Sequence, residues 1–142
     1  MSDEPPKQYK KYVPQPDGLN LELHKRGVET GLLHIQRCVE CGQSRQPPRY
    51  YCQDCFSDSY EFVPVSGAGS IYSFAINHFT TDRAWIEELP YITAVVELAE
   101  GPRVVGALRN VEPGDVTLGD AVTVSVEPRG EDFAFIWVDL NP

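Results

Sequence analysis

Lysine disappears from this chain after Lys25, and methionine occurs only at position 1. The 142 residues carry 12 basic and 21 acidic side chains, for a net charge of −9. Residues 67–142 are the extreme case. They hold four scattered arginines (Arg83, Arg103, Arg109, Arg129) against twelve carboxylates. Nucleic-acid phosphates are neutralised by clustered Lys and Arg, so this acidic half is poorly suited to that task. Long apolar runs are also lacking. Nothing approaches the ~20 residues of a membrane span, and neither end carries a lipidation pattern. No apolar signal-like run precedes residue 38. HExxH is missing, and no linear spacing of Ser, His and Asp marks a triad, although triads are assembled in space. The expectation is a soluble cytoplasmic protein that engages neither membrane nor nucleic acid.

What is present begins with four cysteines, in two pairs: Cys38-Val39-Glu40-Cys41 and Cys52-Gln53-Asp54-Cys55. Two C-x-x-C knuckles supply the four thiolates of a tetrahedral structural zinc site. Two disulfides would suit an exported chain. A redox dithiol would leave one pair unexplained, and rubredoxin-like iron is a chemical cousin. The second knuckle runs Cys55-Phe56 where a rubredoxin usually has glycine, which favours one structural Zn²⁺. Four protein ligands leave that ion no open position, so the metal is not expected to be catalytic.

The organisation is read in three parts. Residues 1–18 contain four of the twelve prolines and read as a flexible arm; Tyr9, Tyr12 and Val13 are contacts it would use if it ordered on a partner. Residues 19–66 hold a short helix over 19–30, with Leu19, Leu23 and Val28 on its apolar side. Asp17 is its expected cap and Gly31 its stop. A strand over 32–37 leads into the first knuckle, and Tyr60 to Val63 leaves the second, which is the order of a zinc ribbon. Residues 67–142 are β throughout: strands over 70–79, 91–98, 103–108, 121–127 and 133–139. Tyr72, Phe74, Ile76 and His78 are expected on one face. Five strands without a long helix point to a closed OB-fold barrel, its usual helix after the third strand replaced by a loop near 110–119. The fold class is mainly β: N-terminal helix, rubredoxin-like zinc ribbon, then a five-stranded OB-fold.

Several residues are candidates for chemistry or contact. His24, His34 and His78 are the three histidines, each more simply read as packed or hydrogen-bonded than catalytic. Glu87-Glu88 is an acidic pair that reads first as solvated surface. The segment Thr80 to Leu89 joins the first two barrel strands, an edge where OB-folds bind ligands. Phe79, Trp85, Ile86 and Leu89 there are candidate partner contacts. The plainer reading is a short helix packing Trp85 onto its own barrel.

The motifs together resemble a known family. Ile35-Gln36-Arg37-Cys38-x-x-Cys41-Gly42, Pro47-Pro48-Arg49 and Cys52-x-x-Cys55 resemble its ribbon. Val65 to Phe74, Pro90 to Gly106, and Leu118-Gly119-Asp120-Ala121-Val122 resemble its barrel. This is the acyl-CoA-associated family with a rubredoxin-like ribbon and C-terminal OB-fold, formerly a domain of unknown function. The resemblance covers roughly residues 19–140. It implies an auxiliary, non-catalytic subunit that binds a thiolase-fold enzyme acting on acyl-CoA. The preferred partner is a lipid-transfer-protein-like retro-aldolase of steroid side chains, with a thiolase as the other member of that class. A hot-dog-fold hydratase, where one takes part, would be either a separate chain or a portion removed from this one. The resemblance also implies a CoA site at the shared interface. Phosphates are met by arginine, so Arg49 is the first candidate, then Arg45, Arg37 and Arg83. Local pairing of Arg49 with Glu40 or Asp54 is the structural alternative. Two other readings stay open: a stand-alone single-stranded nucleic-acid-binding ribbon–OB protein, opposed by charge, and a small acyl-CoA enzyme using His78 or Glu88.

Overall fold

The computed structural model describes residues 9–142. Helix α1 spans Gly18–Thr30. Asp17 occupies its N-cap position, but its carboxylate makes no capping bond; its backbone carbonyl accepts from Leu21 N at 3.2 Å. The helix stops where Gly31 turns left-handed at φ 73° and donates to Gly27 O, a geometry that costs glycine little. The packed stripe is Leu19, Leu23 and Gly27, not Val28. A Cβ on Gly27 would lie 3.1 Å from that of Ala134, so the absence of a side chain lets the helix settle against the last barrel strand.

The ribbon is a three-stranded antiparallel sheet of β1 (His34–Cys38), β2 (Ser44–Arg45) and β3 (Tyr60–Pro64), in the order β2-β1-β3. Five strands then follow: β4 (Ala68–Asn77), β5 (Tyr91–Leu98), β6 (Arg103–Leu108), β7 (Ala121–Pro128) and β8 (Ala134–Leu140). They close into a barrel in the order β4-β5-β6-β8-β7. The β6–β8 pair is parallel and the other barrel pairings antiparallel. This is the expected five-stranded OB-fold. A 3-10 turn at Pro113–Asp115 stands where the usual helix would be.

The face expected for β4 is corrected by a β-bulge. Register shifts between Ile71 and Ser73, which turns Tyr72 outward while Ile71, Phe74 and Ile76 pack on the core. A bulge inserts one residue and reverses the alternation beyond it. Arg103 covers the outward Tyr72 ring at 3.6 Å.

Ribbon and barrel share one core. Leu33, Ile35 and Val65 pack with Ile71, Val96, Val122, Val124 and Val138. No helix among the described residues is long and apolar enough to cross a membrane.

The joint between modules turns on Gly67. Its φ is +87°, and a Cβ there would lie 2.5 Å from Val124 O. Gly67→Ala is expected to destabilise the protein by about 2 kcal/mol or more. Gly114→Ala, with open space around its Cβ, should stay within about 0.5 kcal/mol. Urea unfolding of both variants measures the contrast.

Candidate metal centre and binding surfaces

The two knuckles have the same backbone construction. Cys38 N donates to Gln43 O at 2.8 Å and Gly42 N to Cys38 O at 3.0 Å. In the second knuckle Cys52 N donates to Ser57 O and Phe56 N to Cys52 O, both at 2.9 Å. Gly42 and Phe56 therefore occupy equivalent corners, and both are left-handed, at φ 77° and 61°. Glycine takes that corner freely; phenylalanine does so at a cost.

The four cysteines are free. Their sulfurs all lie within 4.8 Å of one another, with Cys38–Cys55 at 3.5 Å and Cys41–Cys52 at 3.6 Å. A disulfide requires about 2.05 Å. A tetrahedron with Zn–S near 2.3 Å has edges of roughly 3.8 Å, so the cage fits one ion. Backbone N–H groups already favour thiolate. That of Cys41, with help from Cys55 and Glu40, pulls the Cys38 thiol down to about 6. Those of Cys55 and Asp54 lower Cys52. At Cys41 and Cys55 the N–H groups of Gln43 and Ser57 are outweighed by burial and neighbouring sulfurs, which raise Cys41 and push Cys55 up to about 12. The cysteines hold one structural zinc with no ligand position left open.

Behind the knuckles, Gln36 organises the loop. Its amide is fully buried. Its Oε1 accepts from Arg45 Nε at 2.6 Å and Arg49 N at 2.7 Å, and its Nε2 donates to Arg49 O at 2.9 Å. Arg45, only 8% exposed, also donates from Nη2 to Arg49 O at 3.0 Å. Its Nη1 has no partner among the described residues, nor do Gln43 Oε1 and Gln46 Oε1. These three side chains line a polar cleft of about 510 Å³ with Arg49, Gln53 and the Glu100–Pro102 turn.

The structure thus brings Arg45 and Arg49 together. The Arg49 guanidinium is exposed and donates to Gln53 Oε1 at 2.8 Å, not to Glu40 or Asp54. Arg37 lies exposed on β1, outside the cleft lining. Arg83 lies elsewhere, donating to Tyr9 Oη at 2.8 Å. Gln36 was overlooked from sequence; the available signal was a polar side chain inside a strand that otherwise leads into a core.

The Thr80–Leu89 segment contains a 3-10 helix, Arg83–Glu88, capped by Asp82 Oδ1 accepting from Ala84 N at 2.9 Å. Phe79 and Ile86 are exposed, whereas Trp85 and Leu89 are half-buried. Trp85 leans on Tyr91, centroids 5.8 Å apart, and Glu88 pairs with Lys11. His78 is exposed. His34 Nδ1 meets Leu32 O and His24 Nδ1 meets Ala134 N.

Comparison with known proteins agrees with this architecture. Residues 30–61 match the family model described as the ChsH2 rubredoxin-like zinc ribbon domain, and residues 62–127 that of the ChsH2 C-terminal OB-fold domain. The chain is 37% identical over 110 residues to the "Probable enoyl-CoA hydratase alpha subunit" of Thermomonospora curvata, covering 78% of this chain and 30% of that one. The chain thus spans under a third of that relative's length. It is 31% identical over 100 residues to a "DUF35 domain-containing scaffold protein" of Methanocaldococcus jannaschii, covering 68% and 70%. Among solved structures, a chain of an Ltp2-ChsH2(DUF35) aldolase matches with a TM-score of 0.80 and 28% identity, over 90% of this chain and 98% of that one.

Because protons compete with zinc for thiolates, zinc content is expected to fall as pH is lowered. Cys52→Ser should abolish stoichiometric zinc at neutral pH. Metal analysis checks both, and hydrogen exchange should then show β1 and β3 losing protection before β5 and β6.

Proposed function

The chain belongs to the DUF35 family, in its ChsH2-type order of zinc ribbon and OB-fold, and on that premise we propose that it is an auxiliary, non-catalytic subunit of a thiolase-fold enzyme acting on acyl-CoA. The observation that carries this is likeness along almost the whole chain to the ribbon–barrel component of an aldolase complex. The archaeal relative, called a scaffold protein, supports the same kind of role. The preferred partner is a lipid-transfer-protein-like aldolase that cleaves a steroid side chain. The reaction's acid–base groups would belong to that partner. The complex would work in the cytoplasm, where a reducing environment keeps the four cysteines available to zinc.

The polar cleft is the place on this chain for the CoA end of the substrate. Arg49 offers a solvent-facing guanidinium beside Gln53, and the buried Arg45 behind it adds positive charge. Arginine suits phosphate because its planar fork offers parallel donors. The ribbon corner supplies the protein contact. Phe56 is 79% exposed in a left-handed conformation, an arrangement that costs stability and shows an aromatic ring to a neighbour. Phe79 and Ile86 extend the contact surface on the barrel.

Co-expression with a thiolase-fold aldolase should yield a stable complex whose retro-aldol activity is lost without this chain. Separate elution, with aldolase activity indifferent to its presence, would defeat the proposal. Within the complex, Arg49→Ala should raise KM for acyl-CoA about tenfold with kcat nearly unchanged. Phe56→Gly should stabilise the free chain by about 1 kcal/mol and weaken its hold on the partner; urea unfolding and titration of the partner read the two effects.

A further inference from the structure

A second cleft, of about 410 Å³, lies away from the ribbon loop. Its floor is the outer surface of β5, β6 and β8. Ile92, Ala94, Val104, Leu108 and Val138 point into the barrel core, so Tyr91, Val105 and Phe135 on the alternate positions point outward. Trp85 of the 3-10 helix forms one wall. His24 of α1, stacked on Phe133 at 4.8 Å and 27°, forms the other. The volume falls within the roughly 300–1,000 Å³ range of small-molecule sites. Val105 in the floor is 57% exposed.

We infer that this cleft binds an uncharged, rigid ring compound that carries a hydrogen-bond acceptor such as a keto oxygen. Four observations select that class. Trp85, Tyr91, Phe133 and Phe135 line the cleft, and flat aromatic walls favour rings over a flexible chain, which must lose more freedom on binding. The lining holds no Lys, Arg, Asp or Glu, and residues 67–142 carry four basic against twelve acidic side chains. A carboxylate would find at the rim only cations already paired, Lys11 with Glu88 and Arg129 with Glu127, and would be desolvated and repelled. His24 Nδ1 accepts from Ala134 N at 3.2 Å, which puts the ring proton on Nε2. That N–H has no partner among the described residues. Burial holds the imidazole below its ordinary value, so it offers a neutral donor.

The cleft is also held in shape. Lys11 pairs with Glu88 and lies over the Trp85 ring at 4.7 Å, while Tyr9 receives the Arg83 bond at 2.8 Å. These contacts pin the Trp85 wall before any ligand arrives, which lowers the ordering cost of binding.

The test uses the full chain and progesterone, a neutral tetracyclic ketone, with decanoate as a flexible anion. The chain has two tryptophans, so a Trp137→Phe background leaves Trp85 as the sole indole reporter. Progesterone should quench it saturably with Kd on the order of tens of micromolar or tighter, and decanoate should bind at least tenfold more weakly. Val105→Glu, at an outward position, should weaken progesterone at least tenfold at unchanged zinc content and Tm. Ala107→Leu, which fills the same space without charge, should do likewise. No saturable response, equal binding of decanoate, or insensitivity to both substitutions overturns the inference. Loss of enzyme association in Val105→Glu, with no probe binding by the parent chain, overturns it too and makes the cleft a protein seat. The inference concerns this chain alone, so its failure leaves the partner proposal standing.

Discussion

Zinc ligation at Cys38 fixes the end of one short strand, and most of what this chain presents depends on that strand. β1 has five residues. Ile35 enters the core shared with the barrel. Gln36 holds the loop that displays Arg49. Cys38 enters the metal cage. A three-stranded sheet with a two-residue edge has little apolar area of its own, and such units draw much of their folding energy from metal. The shared core supplies the rest, which is why ribbon and barrel form one packed body.

The barrel has its own logic, and it bears on where ligands can bind. Its arginines are already engaged. Arg103 pairs with Glu97 and covers Tyr72. Arg109 forks onto Asp139 beside Trp137. Arg129 lies over Phe135 near Glu127. Such surface pairs contribute only about 0–1 kcal/mol each, so their main consequence is spatial: these cations are neutralised where they stand. The exposed guanidinium of Arg49, with a neutral Gln53 for company, is of a different kind. The free guanidinium thus lies on the ribbon, while the cations of the acidic barrel are paired.

Much of the architecture was legible in the sequence because it rests on local regularity. Cysteine spacing specifies a metal cage without reference to the rest of the chain. Alternation marks strands, and the β5 and β6 bounds match the expected ones. The departures have non-local causes. The Tyr72 bulge inserts one residue, which alternation alone cannot reveal. Gly27 replaces Val28 because Ala134, over a hundred positions later, sets how close the helix may come. β2 is two residues long and exists only because β1 is there to pair with it. Arg45 and Arg49 looked alike in sequence, yet a buried glutamine from another strand makes one a support and leaves the other free.

Gln36 also explains how a redox-silent metal can govern binding without touching a ligand. Its Oε1 receives two donors and its Nε2 serves one carbonyl, all inside protein. If β1 frays, Arg45 Nε and Arg49 N lose a buried acceptor, and each unmet group costs about 1–3 kcal/mol. The loop cannot keep its conformation against that cost, so it must rearrange rather than weaken gradually. Loss of zinc is therefore transmitted to the Arg49 side of the polar cleft through a discrete set of hydrogen bonds. The apolar cleft has its floor on outward residues of β5, β6 and β8, whose pairings do not pass through β1, and only its His24 wall belongs to the helix that also packs on β1. Metal state should thus act first on the polar surface and reach the apolar one only through the α1 wall.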